Sequence, residues 1–89
     1  MSADLLRLRA EIERIDQALV GLIRDRVSAA RHTAAAKRAA GLPTVDPPQE
    51  ATVIRRAATL AREAGLPAED VRDMFWKLVA LTRRAELEG

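Results

Sequence analysis

Leu5, Leu8, Ile12, Ile15, Leu19 and Leu22 recur at alternating steps of three and four, which lays a single apolar seam along a helix. From about Asp4 to Ala40 nothing interrupts the segment except Gly21, a modest local cost, until Gly41 and Pro43 supply a stop. At ~1.5 Å per residue such a helix is about 54 Å long. A compact domain of this chain length has a radius of gyration of about 12 Å, hence a diameter of roughly 32 Å. The helix is longer than its own domain. Its seam must be covered from outside the compact part of the chain, and a second copy is the simplest cover, so the spacing predicts a homodimer.

The rest of the chain reads as two shorter helices. Asp46 is placed as an N-cap, Pro47 suits the first helical position, and Gln49 stands where a capping-box partner belongs. The second helix is expected from about Pro47 to Ala64, with Ile54, Ala57, Ala58 and Ala61 inward and Gly65 ending it. Leu66-Pro67 restarts the chain, and Glu69 and Asp70 complement the dipole of a third N-terminus. That helix carries Val71, Phe75, Leu78 and Leu81 inward to about Glu86. Eighteen alanines and almost no β-branched runs favour helix over sheet throughout. The expectation is an all-α single domain over residues 1–89, with long, short and medium helices at about 4–40, 47–64 and 67–86.

Composition removes several functions. There is no cysteine, which excludes disulfides, thiol chemistry and thiolate metal sites, and His32 alone makes no His-rich metal centre. No run approaches the ~20 apolar residues of a membrane span, and Asp4 falls too early for a signal peptide, so a soluble, cytoplasmic protein with no membrane partner is expected. Fifteen basic residues nearly balance 13 acidic ones, for a net charge of +2. That balance does not call for nucleic acid. Phe75 and Trp76 are the sole aromatics, and Phe75 lies on the apolar face, which leaves no stacking platform.

Polar residues where the period asks for apolar ones are the informative positions. Continuing the first seam from Leu22 by four gives Arg26, and Lys37 lies 11 residues further, only ~20° away in rotation. Glu50 precedes Ile54 by one turn, on the buried side of the second helix. On the third, Leu78 is followed at +4 steps by Thr82 and Glu86. Each has an ordinary explanation alone: a snorkelling arginine, a lysine near a helix C-terminus, a first-turn glutamate, an unremarkable threonine, a frayed glutamate. A buried Arg–Glu pair explains two of the five but not all. Together they describe a pocket with two cations, a carboxylate and a hydroxyl, suited to a small, anionic, oxygen-rich ligand.

The ordered set of landmarks resembles the all-helical class of chorismate mutases. Leu8-Arg9-Ala10-Glu11-Ile12 with Ile15-Asp16 resembles the family's opening L-R-x-x-I…ID, and Leu22 through Arg26 the L-hydrophobic-x-x-R that follows. Lys37 matches the lysine after a run of small residues. Pro43-Thr44-Val45-Asp46 with Glu50 is similar to the P-x-x-D-x-x-R-E segment, and Gly65-Leu66 and Phe75 match later landmarks. The resemblance implies an intertwined homodimer whose two sites each borrow a residue from the other chain. Arg9 and Lys37 lie 28 residues apart on one helix, roughly 42 Å. If both serve one site, Arg9 must come from an antiparallel partner.

The resemblance also implies the reaction: a Claisen rearrangement of chorismate to prephenate, which needs no nucleophile, metal or cofactor. Arg26 and the other copy's Arg9 would pair with the two substrate carboxylates, for which guanidinium has bidentate geometry. Lys37 would donate to the breaking ether oxygen and to a carboxylate, and Thr82 would stand near the ring carboxylate. Asp46, through its backbone, and Glu50, through its carboxylate, would address the substituent at C4.

Two positions depart from the family pattern. Glu86 stands where the family often has glutamine as a second donor to the ether oxygen. Ionised, it would repel the charge developing there, so it must be protonated to help, and turnover should decline as rising pH ionises it. Gln49 stands where the family usually has arginine. It either serves the capping box with Asp46 or marks a changed substrate, since losing a cation beside C4 while keeping Glu50 favours an amine there, as in 4-amino-4-deoxychorismate mutases. Isochorismate-pyruvate lyase activity and a non-catalytic helical dimerisation module are further alternatives, and binding by an activating enzyme is left open.

Overall fold

A computed structural model describes residues 2–88, and in it three helices follow one another: α1 (Ala3–Ala39), α2 (Pro47–Glu63) and α3 (Ala68–Glu88). No strand occurs among the described residues. The order is long, short, medium, at 37, 17 and 21 residues.

The helix ends lie where local chemistry puts them. Ser2 caps α1, its hydroxyl accepting from the Leu5 N–H at 3.1 Å. Asp46 caps α2, its carboxylate accepting from the Gln49 N–H at 3.2 Å, with Pro47 and Pro48 in the first turn. Both exits have the same construction. Gly41 and Gly65 take φ of 71° and 73°, and the next residue's N–H turns back to close the helix, Leu42 to the Lys37 carbonyl and Leu66 to the Ala61 carbonyl, each at 2.8 Å.

α3 packs on both other helices, while the core of buried residues lies between α2 and α3: Val53, Ile54 and Val79, with Phe75 packed against them. Ala57, Ala58 and Ala61 complete the buried face of α2, as expected from their spacing. On α3 the buried residues are Val79, Thr82 and Ala85, and Leu81, expected inward, is exposed. Val71, Phe75 and Leu78 are half-buried as expected, and Leu81 departs because Val79 and Thr82 take the buried face where α3 packs on two neighbours.

α1 extends beyond this unit. The molecule is 58 Å long and 25 × 16 Å across, with a radius of gyration of 16.6 Å, well above that of a compact chain of its size. Every residue from Ala3 to Val20 is exposed, including the seam residues Leu8, Ile12, Ile15 and Leu19 at 46–58%. Within one chain the seam has no cover. No helix among the described residues is long and apolar enough to cross a membrane.

Candidate active site

A cavity of about 230 Å³ opens where the C-terminal half of α1, the entrance of α2 and the C-terminal half of α3 meet. α1 contributes Arg26 and Lys37, the start of α2 contributes Asp46, Gln49 and Glu50, and α3 contributes Thr82 and Glu86. Seven of the eight residues singled out by sequence therefore surround one space, whose floor is apolar at Ala29, Ala30, Val53 and Val79. Arg9 is not among the lining residues. It sits on the exposed half of α1, 17 residues before Arg26 and about 26 Å away along the axis.

Each cation is held by a specific acceptor. Arg26 Nη1 donates to Thr82 Oγ1 at 3.4 Å, across the α1–α3 contact. Thr82 is 4% exposed and sends its own proton to the Val79 carbonyl at 3.0 Å, so in this state its oxygen acts toward the cavity as an acceptor. Lys37 Nζ donates to the Thr44 carbonyl at 3.2 Å, which ties the half-buried ammonium to the connector that follows its own helix. Arg38, one residue on, donates to the Glu86 carbonyl at 3.3 Å and holds the end of α3 against α1.

The cap at Asp46 engages the backbone of Gln49, a bond that any non-proline residue there would offer. This leaves the identity of the Gln49 side chain unexplained by the cap.

Glu50 has a partner that sequence reasoning missed. Arg83 donates through Nε to Glu50 Oε2 at 3.0 Å and through Nη2 to Oε1, a two-point ion pair between α3 and α2. The hydrogen bond to Glu50 holds the Arg83 guanidinium above the usual arginine range. Attraction to Glu50 adds to this, partial burial opposes it, and Glu86 adds a smaller attraction. The signal was available: Phe75, Val79 and Arg83 form a +4 row, so a cation continues a row that starts on the core.

The surroundings suit a compact anion with further oxygens: two cations from α1, a hydroxyl from α3 bonded to one of them, and carboxylates from α3 and from the entrance of α2. No group of three or more His, Cys, Asp and Glu side chains that could hold a metal occurs among the described residues.

The sequence profile of the family described as chorismate mutase type II matches residues 8–87 of the chain. The chain belongs to that family. Its three helices are those of an all-α type II chorismate mutase, and the family supports a chorismate mutase function, an isomerase activity. The match spans all three helices, so the cavity lies wholly within the family domain. No curated protein matches the chain closely enough to count as a relative.

Proposed function

We propose that this type II chorismate mutase converts chorismate to prephenate in a homodimer whose two sites are each completed by Arg9 of the other copy. The observation that carries the reading is the convergence of Arg26, Lys37, Glu50, Thr82 and Glu86, from three helices, on one cavity. The rearrangement forms a carbon–carbon bond and breaks a carbon–oxygen bond within one molecule. The protein has only to hold the reactive conformer and to stabilise negative charge gathering at the ether oxygen.

In this reading Arg26 takes one carboxylate of the dianion in a bidentate pair, and Thr82 turns its proton from Val79 toward the same group. Lys37 leaves the Thr44 carbonyl for the ether oxygen, where the charge it meets is greatest in the transition state. Glu86, when protonated, donates to that oxygen as well. Glu50 and the Asp46 backbone receive the C4 substituent. Arg9 from the other copy takes the second carboxylate. The uncovered seam of α1 supports such a dimer, because an antiparallel second copy would bury it and carry its own Arg9 toward the cavity.

The test is direct. Purified protein given chorismate should deplete it and yield prephenate, with turnover lowered about a hundredfold or more in Lys37→Ala while the helical signal persists. Release of pyruvate from isochorismate, or no turnover with either compound, would overturn the assignment.

A further inference from the structure

Glu50 faces the cavity, yet its charge is already answered. Its side chain is only 17% exposed, and both of its oxygens accept from Arg83, which approaches from α3 and is not itself a lining residue. A carboxylate held in this way has two consequences. The fork of the guanidinium fixes the plane of the carboxylate, so the lone pairs left over point in set directions. The pair as a whole is close to neutral, so the wall it forms attracts a cation weakly and repels an anion weakly.

We infer that Arg83 is a positioning and specificity-determining residue, which holds Glu50 as an oriented acceptor for a neutral hydroxyl on the substrate and against an ammonium at the same place. The inference rests on the reading of the cavity as a site for chorismate-like dianions and names the substituent it selects. Gln49, uncharged at the same rim, supplies no competing cation, and Arg83 is the cation paired directly with Glu50. The pair is part-buried between α2 and α3, so its loss also costs stability, and recognition is the readout that separates the two effects. Without Arg83, Glu50 would present an uncompensated charge to the cavity, favouring an ammonium and disfavouring the dianion as a whole.

The experiment compares chorismate with 4-amino-4-deoxychorismate near pH 7 by calorimetric binding and by kcat/KM, in the wild-type protein, Arg83→Leu and Arg83→Lys. Wild type should favour the hydroxyl compound. Arg83→Leu should move the ratio about tenfold or more toward the amino compound, chiefly through binding and KM. Arg83→Lys, which keeps the charge and loses the fork, should restore most of the ratio but not the full rate. In a Glu50→Gln background the Arg83→Leu change should have little further effect on the ratio. A ratio unmoved by Arg83→Leu, in protein that turns over chorismate and remains folded, overturns the inference and leaves the assigned reaction standing. Binding of both compounds with turnover of neither overturns the reaction and leaves the ratio as a test of Arg83. Absence of binding by wild type overturns both.

Discussion

Arg26 on α1 donates to the hydroxyl of Thr82 on α3, and that hydroxyl donates onward to the Val79 carbonyl. The chain has one direction: cation, hydroxyl, backbone. It keeps Thr82 facing the cavity as an acceptor until an anion offers the proton a better partner. Thr82→Val, nearly equal in volume, should therefore leave the fold intact at a cost of about 1 kcal/mol. It should raise KM for chorismate by roughly tenfold, and Thr82→Ser should recover most of the loss. Calorimetric melting beside steady-state kinetics checks both halves.

Arg26→Ala and Lys37→Ala should separate catalysis from folding. Both side chains are only partly buried, and each holds a single hydrogen bond across or near the site. Each loss should lower kcat/KM by roughly a hundredfold or more, as removal of a donor to developing charge does. Circular dichroism and sedimentation should remain those of the wild type. Parallel loss of helicity and turnover would favour a purely structural role for the pair.

Arg9 gives a test that only a shared site passes. Arg9→Ala and Arg26→Ala should each be nearly inactive, and a mixture refolded together should regain about a quarter of the wild-type sites, because half of the dimers are mixed and each mixed dimer has one intact site. Mixing that never restores turnover excludes the shared arrangement. Ile15→Lys, on the exposed seam, should yield a monomer by sedimentation and abolish turnover with chorismate.

Glu86→Gln should raise kcat with chorismate by about threefold or more, because an amide donates to the ether oxygen without the repulsion a carboxylate brings to the charge developing there. Steady-state kinetics beside calorimetric melting checks it, and a kcat unchanged in Glu86→Gln would remove Glu86 from the reaction. Arg83 ionises above the usual arginine range, so any stability from its pairing with Glu50 is lost on the alkaline side only as pH climbs through that range.

How much of this was legible in the sequence differs by element. The helix ends were readable to within two residues, because Asp46, Gly41 and Gly65 act through their own backbone geometry and need no distant partner. The cavity was readable because polar residues on an apolar seam repeat with the helix, whatever the helix packs against. The width of the buried face of α3 was not. Val71, Phe75, Leu78, Val79 and Leu81 offer two overlapping faces, and only contact with α1 and α2 selects Val79 over Leu81. Arg83 was lost with it, since its importance depends on which row of α3 faces Glu50.

Lys37 serves two ends at once. Its carbonyl receives the Leu42 N–H that terminates α1, and its ammonium reaches the Thr44 carbonyl two residues later. Chain length in a surface connection is ordinarily cheap to change. Here the span from Gly41 to Asp46 works as a fixed-length strut, setting the offset between the ammonium and the entrance of α2 that holds Glu50. An inserted residue would be absorbed by the fold and felt by the chemistry, so a segment that looks like a spare joint is a dimension of the enzyme.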